Sequence, residues 1–232
     1  MRILIVIPTF NEKDNIKKLI PMIMKTLPAA DILIVDDKSP DGTGAAVKVI
    51  MEKNKRVKLI ERAKKLGLGT AYVEGFKYAL AKKYDIIFEM DADFSHDPNY
   101  LPVFIETLKT NDLVIGSRYI NGLSVVNWPL RRLVLSKLAN LYAKIITGLP
   151  LTDLTSGFKC YKSSVLKAID LDKIHSDGYA FQIEMHYKAW ERSFKIKEIP
   201  IIFVDRHSGS SKMSRKVILE AAWIVWKLKL KL

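Results

Sequence analysis

The 232-residue sequence carries a single cysteine, Cys160. One thiol cannot make an internal disulfide, which excludes a disulfide-stapled scaffold and fits a reducing compartment. Long apolar runs are also missing: no stretch approaches the roughly 18 apolar residues of a membrane-spanning helix. The apolar run in "MRILIVIPTFNE" is too short for a signal peptide and lacks a small-residue cleavage site, so the chain reads as non-secreted. Zinc-finger spacing is absent, and so is the aromatic signature of an RNA-recognition domain. Glycine is lacking where a dinucleotide enzyme would need it. The turn after the first apolar run is "PTFNEKDN", with no glycine to let the backbone approach a pyrophosphate. An NAD-type Rossmann enzyme and a phosphate-binding P-loop are both excluded on that ground.

What is present is apolar and basic. Residues of the apolar class make up 49% of the chain, enough for a large core. Apolar β-rich runs at 2–7, 31–36, 57–61, 84–90 and 112–117 alternate with helical patterns, the first of which sets Ile16, Leu19, Ile20 and Ile23 on one face. Further helices are expected near 43–53, 70–83, 98–109, 130–147, 180–192 and 214–230, with strand-like "SGFKCY" and "FKIKEIPIIF" between the later ones. Strands that are apolar on both faces and alternate with helices predict an α/β fold, a mostly parallel sheet between helix layers. No linker or repeat interrupts the chain, so a single domain over 1–213 is expected, followed by a basic amphipathic helix over 214–232. The net charge of +13 favours anionic partners such as nucleic acid, nucleotide phosphates or acidic lipid, although most of these lysines read simply as a solvated surface.

Ligands of open parallel sheets bind beyond the carboxyl ends of the strands. Three predicted strand ends carry polar residues there: "PTFNE" (Pro8 to Glu12), "DDKSPDGTG" (Asp36 to Gly44) and "DADFSH" (Asp91 to His96). Acids at the end of a buried strand are costly unless something pairs with them. A hard divalent cation, Mg²⁺ or Mn²⁺, takes carboxylate and phosphate oxygens together, and so can replace a glycine nest in neutralising a diphosphate. An isolated DxD triplet is a weak signal, and a turn-capping role for Asp91 and Asp93 is the plain alternative. Beside a second strand ending in Asp-Asp, the metal reading is the stronger one. His96 and His175 have no second histidine at ligand spacing and read as structural or surface residues. Cys160, in a strand-like segment, reads as core.

The motifs "IPTFNE", "IVDDKSPDGT", "KLGLGTAY", "MDADFSHDP", "GSRY", "DLTSGFKCY" and "FVDRHSGSSKM" occur in that order. Together, from about residue 3 to 213, they resemble the dolichol-phosphate mannose synthases, inverting glycosyltransferases of the GT-A fold. The resemblance implies transfer of mannose from GDP-mannose to dolichyl (polyprenyl) phosphate, giving a β-linked sugar phosphate. It places the nucleotide against Pro8, Phe10 and Glu12, with Val35 and Asp37 at the guanine and ribose. It makes Asp91, Ala92 and Asp93 the pyrophosphate and metal site, with Asp93 the leading ligand of Mg²⁺ or Mn²⁺. Ser95 stands where some relatives have a glutamine that completes the metal shell; being shorter, it suits a bridging water. Arg118, Arg132 and Ser136 fall where the acceptor phosphate is held, and Arg206 and Lys212 flank "HSGSS", a loop that closes over the donor phosphates. Asp91, Asp93, Arg118 and Arg132 are thus the expected catalytic set. Asp153 and Ser156 are further candidates for the sugar pocket. Because the acceptor is already anionic, no general base is assigned.

A lipid acceptor requires a chain without a spanning helix to visit the membrane surface. "KVILEAAWIVWKLKLKL" suits an interfacial helix on anionic lipid, at the cytoplasmic face, and equally a helix packed with Trp223 and Trp226 in the core. The sequence also allows a hydrophobic tail to follow. Two alternatives stand beside this reading: a polyprenyl-phosphate hexose synthase that uses a UDP-sugar, and a non-catalytic basic nucleotide- or nucleic-acid-binding protein. The second has no use for aligned acids, which would repel a phosphate backbone.

Overall fold

The structure is a computed structural model that describes residues 1–204 and 215–230, the last segment by its backbone alone up to 221. Seven strands form one sheet in the order β3-β2-β1-β4-β7-β5-β8. These are β1 (Ile3–Thr9), β2 (Ala30–Asp36), β3 (Val57–Glu61), β4 (Ile86–Glu89), β5 (Leu113–Ser117), β7 (Lys159–Lys162) and β8 (Ile196–Pro200). All neighbouring pairs are parallel except those made by β7, which runs antiparallel between β4 and β5. The short β6 (Val125–Val126) and β9 (Phe203–Val204) pair with each other apart from the main sheet.

Helices cover both faces, and the alternation of β1 shows why. Successive side chains of a strand point to opposite faces. Leu4 and Val6 therefore pack with Tyr72 and Phe76 of α3 (Leu68–Ala81) and with Phe181 of α7 (Gly178–Glu191). Ile3, Ile5 and Ile7 pack with Ile16, Leu19, Ile20 and Ile23 of α1 (Lys13–Thr26), with Val47 of α2 (Thr43–Lys53) and with Phe104 of α4 (Leu101–Leu108). The expected helical face of α1 is the face that is buried. The helix expected near 98–109 opens as one 3-10 turn, Pro98–Tyr100, with the Asp97 carboxylate accepting from the Asn99 amide at 2.9 Å. Two elements run through the outer layer: α5 (Leu130–Thr147) and α6 (Ser163–Ala168).

The last helix, α8 (Arg215–Leu230), packs on α5 and α7. Val225 and Leu228 are buried in the same core as α3 and α7, so this face of the helix belongs to the domain. Trp223 and Trp226, however, are 64% and 45% exposed. The packing expected of this helix is therefore made by its aliphatic residues, and both indoles face outward. None of the described helices is long and apolar enough to cross a membrane.

Gly75 shows how closely α3 lies on the sheet: a Cβ there would overlap Val6 Cγ1. Gly75→Ala is expected to destabilise the fold by about 1–3 kcal/mol, the usual cost of overpacking. Urea unfolding checks this. Adding Val6→Ala should recover part of the loss, since the two sites share one contact.

Candidate active site

The strands β2, β1 and β4 are neighbours, so their polar carboxyl ends meet along one edge. Thr9 of β1 lies in register with Asp36 of β2, and its hydroxyl donates to Asp36 Oδ1 at 2.8 Å. Ser39 donates to the same carboxylate through its amide at 2.9 Å and its hydroxyl at 2.6 Å. Asp36, 1% exposed, is an internal post of the turn. Asp37 is also buried. It pairs with the Arg62 guanidinium and accepts from the Leu66 and Gly67 amides at 3.2 and 3.4 Å. Arg62 in turn donates to Thr70 Oγ1 at 2.7 Å and to the Gly67 carbonyl at 2.9 Å. Asp37, expected at the ribose, therefore anchors the "KKLGLGTAY" loop through Arg62, a residue the sequence did not single out. The Val35 side chain is fully buried in the core, so a ligand at that position meets main chain. Pro8, Phe10 and Glu12 are half-buried, and the Lys65 ammonium stands 3.7 Å from the centre of the Phe10 ring.

The end of β4 holds the two acids. Met90 donates its amide to the Val6 carbonyl at 3.2 Å, the last rung before the chain leaves the sheet. Asp91 is then held from three directions. The buried Tyr72 hydroxyl donates to Asp91 Oδ1 at 2.9 Å. The Asp91 amide donates to His96 Nδ1 at 2.9 Å, which leaves the ring proton on Nε2, 3.9 Å from Asp91 Oδ2. The His96 ring stacks on Phe158 at 4.8 Å. Burial lowers the pKa of His96 against the opposing pull of Asp91 and Asp93, and burial together with Asp91 raises that of Tyr72. His96 is thus neutral and Tyr72 protonated, the forms this hydrogen-bond pattern requires. Asp93 is oriented by Ser95, whose amide and hydroxyl donate to Asp93 Oδ1 at 3.1 and 2.5 Å. Ser95 itself is buried, as is Ala92. The role the structure gives Ser95 is to steer the Asp93 carboxylate. Gly157 lies against this site: a Cβ on it would meet Gln182, His96 and Asp91 within 4 Å.

Beneath the acids is a charge pair that sequence reasoning missed. Glu89 of β4 and Lys159 of β7 are directly opposite in register and both fully buried. Lys159 Nζ lies 3.4 Å from both Glu89 oxygens and also donates to Gln182, while the Tyr161 hydroxyl donates to Glu89 at 3.1 Å. Burial raises the Glu89 pKa to about 7 although Lys159 opposes it, and burial lowers that of Lys159. A lone charge within each apolar run was the only sequence signal. Cys160, next to Lys159, is fully buried with its thiol pKa raised by burial, a core residue as expected. His175 is exposed.

Because β7 is antiparallel, the "DLTSG" loop that precedes it arrives at the same edge as the ends of β4 and β5. There it meets Arg118. Asp153 accepts from Arg118 Nε at 2.7 Å, from Nη2 at 2.6 Å and from the Arg118 amide at 3.0 Å. The bidentate edge expected to grip a phosphate is therefore taken by Asp153, which raises the Arg118 pKa further despite burial. Asp153 is 0% exposed and Ser156 donates to the Gly116 carbonyl at 2.5 Å. These two candidates for a sugar pocket are instead parts of the loop's internal packing, because their polar atoms are committed to Arg118 and to β5. Glu198 of β8 supports the loop from behind, accepting from Thr152 and Asp153 amides at 2.8 and 2.9 Å.

Arg118, Arg132 and Ser136 do share one corner. Arg132 lies with its guanidinium carbon 4.2 Å from the Trp128 ring centre, and Arg118 5.5 Å from the same ring. Ser136 Oγ meets the Tyr119 hydroxyl at 2.7 Å. Arg206 and Lys212 lie outside the described residues. Among the described residues no group of three or more His, Cys, Asp or Glu side chains gathers as a ready-made metal cage.

Residues 4–170 match the family described as glycosyl transferase family 2. The chain is 44% identical over 221 residues to undecaprenyl-phosphate mannosyltransferase of Micrococcus luteus, covering 95% of this chain and 91% of that one. It is 43% identical over 226 residues to polyprenol monophosphomannose synthase of Mycolicibacterium smegmatis, covering 97% and 85%. Among solved structures, glucosyl-3-phosphoglycerate synthase from Mycobacterium tuberculosis, in complex with Mn²⁺, uridine diphosphate and phosphoglyceric acid, superposes with a TM-score of 0.71 at 19% identity. That likeness spans 97% of this chain and 78% of the other, and it shows the shared GT-A fold. The chain belongs to glycosyl transferase family 2.

Proposed function

We propose that this glycosyltransferase moves mannose from GDP-mannose to dolichyl (polyprenyl) phosphate, with inversion at the sugar carbon. The observation that carries the reading is the end of β4. Two carboxylates there are held rigidly at the ligand edge, one by Tyr72 and His96 and the other by Ser95, with two arginines across the edge. The relatives' names supply the substrate class: one acts on undecaprenyl phosphate, the other makes a polyprenol monophosphomannose.

A divalent cation, Mg²⁺ or Mn²⁺, fits this edge. One well-oriented carboxylate with substrate phosphates and water is a normal shell for such an ion, and no all-protein cage is needed. Asp93 would hold it, with Ser95 fixing the carboxylate. When bound, the ion supplies charge neutralisation for the departing diphosphate. The chain's own residues do the rest. Phe10, Glu12 and the main chain at Val35 line the nucleotide side, and Asp91 faces the sugar hydroxyls. Arg132, Ser136 and the outer edge of Arg118 position the acceptor phosphate. One of its oxygens attacks the anomeric carbon as the bond to the GDP oxygen breaks, and the electron pair leaves with GDP. An anionic nucleophile needs positioning more than deprotonation. Arg206 and Lys212 are assigned to the donor phosphates on the motif alone. The direct test offers GDP-mannose and UDP-glucose separately on a polyprenyl phosphate. Turnover should favour GDP-mannose by orders of magnitude; equal or reversed preference rejects the donor.

The membrane partner is supported by one continuous apolar face. On α5, Leu130, Val134, Leu138, Leu141 and Ile145 recur at helical spacing and are 49–73% exposed. Beside them on α8 stand Trp223, Trp226 and Leu230, and Trp226 Nε1 donates to the Tyr142 hydroxyl of α5 at 2.9 Å. Exposed tryptophans beside Lys137, Lys144, Lys227 and Lys229 suit an anionic lipid surface. The same α5 carries Arg132 and Ser136, so docking this face brings the acceptor-phosphate residues to the headgroup level. Leu138→Glu with Trp223→Glu should cut binding to anionic vesicles about tenfold or more, by loss of apolar burial. Turnover of a water-soluble short-chain prenyl phosphate should stay near wild type. Unchanged vesicle flotation would reject this face.

A further inference from the structure

Helix α5 is seated on the domain by few of its side chains. Of its 18 residues only Asn140, Ala143 and Thr147 are buried. Asparagine is a poor helix former, and its amide is costly to bury unless the polar atoms are bonded. Asn140 is 5% exposed, so only the bonds it makes account for it in the middle of this helix.

Those bonds leave the helix. Asn140 Oδ1 accepts from the Leu154 amide at 2.7 Å. Its Nδ2 donates to Thr155 Oγ1 at 3.3 Å and to the Ser136 carbonyl, one turn back, at 2.9 Å. Both amide hydrogens are thereby used. Leu154 and Thr155 belong to the "DLTSG" loop. The Leu154 carbonyl accepts from His186 Nδ1 of α7 at 3.1 Å, so the two main-chain groups of one loop residue are clamped by side chains of two helices. The residues on either side of Leu154 both meet Arg118 Nη2, Asp153 at 2.6 Å and Thr155 at 2.7 Å. A single buried amide therefore spans from the turn of α5 that carries Ser136 to the loop that seats Arg118. Leu138 and Leu141, close to Asn140 in sequence, are exposed, so the helix that turns its apolar face outward is tied to the site by this inward amide.

We infer that Asn140 is a positioning residue for the acceptor phosphate: it fixes where Ser136 on α5 stands relative to Arg118 at the end of β5, the two elements that share that site. Asn140 itself touches no substrate and acts through Leu154 and Thr155. This rests on the acceptor being a prenyl phosphate, as proposed above.

The test is calorimetric binding of geranyl phosphate, without any sugar donor, to the full chain and its variants, with circular dichroism as the check that each is folded. Asn140→Leu keeps side-chain volume and helix propensity and deletes both links to the loop. It should weaken geranyl phosphate binding about tenfold, the upper end for one neutral hydrogen bond, and leave GDP affinity within about twofold. Thr147→Val is the matched control. Its hydroxyl is buried in the same helix, and both of its bonds stay within residues 143–149. It should bind geranyl phosphate as the wild type does, whereas a merely structural role for Asn140 predicts equal effects. Thr155→Val removes the shared hydroxyl from the loop side, and its loss should not add to that of Asn140→Leu, because both act along one path. Wild-type affinity in Asn140→Leu, an equal loss in Thr147→Val, or fully additive losses in the double variant each overturn the inference and leave the acceptor class intact. If Asn140→Leu is unfolded, Asn140→Ser, too short to span to the Leu154 amide, carries the same expectations; unfolding of both makes Asn140 a stability residue and overturns the inference. No binding of geranyl phosphate to the wild-type chain removes the acceptor reading and the inference with it. A failure of GDP-mannose as donor leaves these titrations unaffected, so the two can be told apart.

Discussion

Everything at the ligand edge depends on carboxylates being held at the end of a buried strand. Such groups repel one another and resist burial, so the fold must hold and orient them. It does so with neutral donors. Tyr72 and Ser95 donate hydroxyl hydrogens to Asp91 and Asp93, and His96 accepts the Asp91 amide. None of the three brings a formal positive charge. The geometry of these contacts is fixed before any ligand arrives, which is the condition for electrostatic stabilisation of a transition state.

Three buried ion pairs lie one layer back. Arg62 is committed to Asp37, Lys159 to Glu89 and Arg118 to Asp153. Each pair ties a loop or strand end to the edge: the glycine loop before α3, the junction of β4 with β7, and the "DLTSG" loop before β7. Breaking such a pair leaves a charge buried and uncompensated, which is far more costly than the pair itself is stabilising. The arrangement separates two tasks, with ion pairs shaping the frame and neutral hydrogen bonds aiming the acids.

Much of this was legible in the sequence. The alternating apolar segments specified the α/β layers because period-2 and period-3.6 patterns report burial directly. The β4 acids were legible because their cost at a strand end demands a purpose. The antiparallel course of β7 was not, since strand order and direction are set by tertiary packing that leaves no local pattern. Nor were the pairs themselves: Arg62–Asp37, Arg118–Asp153 and Lys159–Glu89 join residues 25, 35 and 70 apart. For that reason Arg118 read only as an acceptor-phosphate residue, and Asp153 and Ser156 as sugar-pocket residues. The outward tryptophans of α8 were equally hidden, because a basic amphipathic helix looks the same whether its indoles pack inward or face solvent.

On the function proposed above, Asp93, aimed by Ser95, presents a carboxylate to a divalent cation shared with the donor diphosphate. Free Mn²⁺, followed by electron paramagnetic resonance as protein is added with and without GDP, tests it most directly. Wild-type protein should take up Mn²⁺ far more strongly when GDP is present, and Asp93→Ala should lose that GDP-dependent uptake while its melting temperature stays close to wild type. Undiminished GDP-dependent uptake in a folded Asp93→Ala variant would contradict the claim.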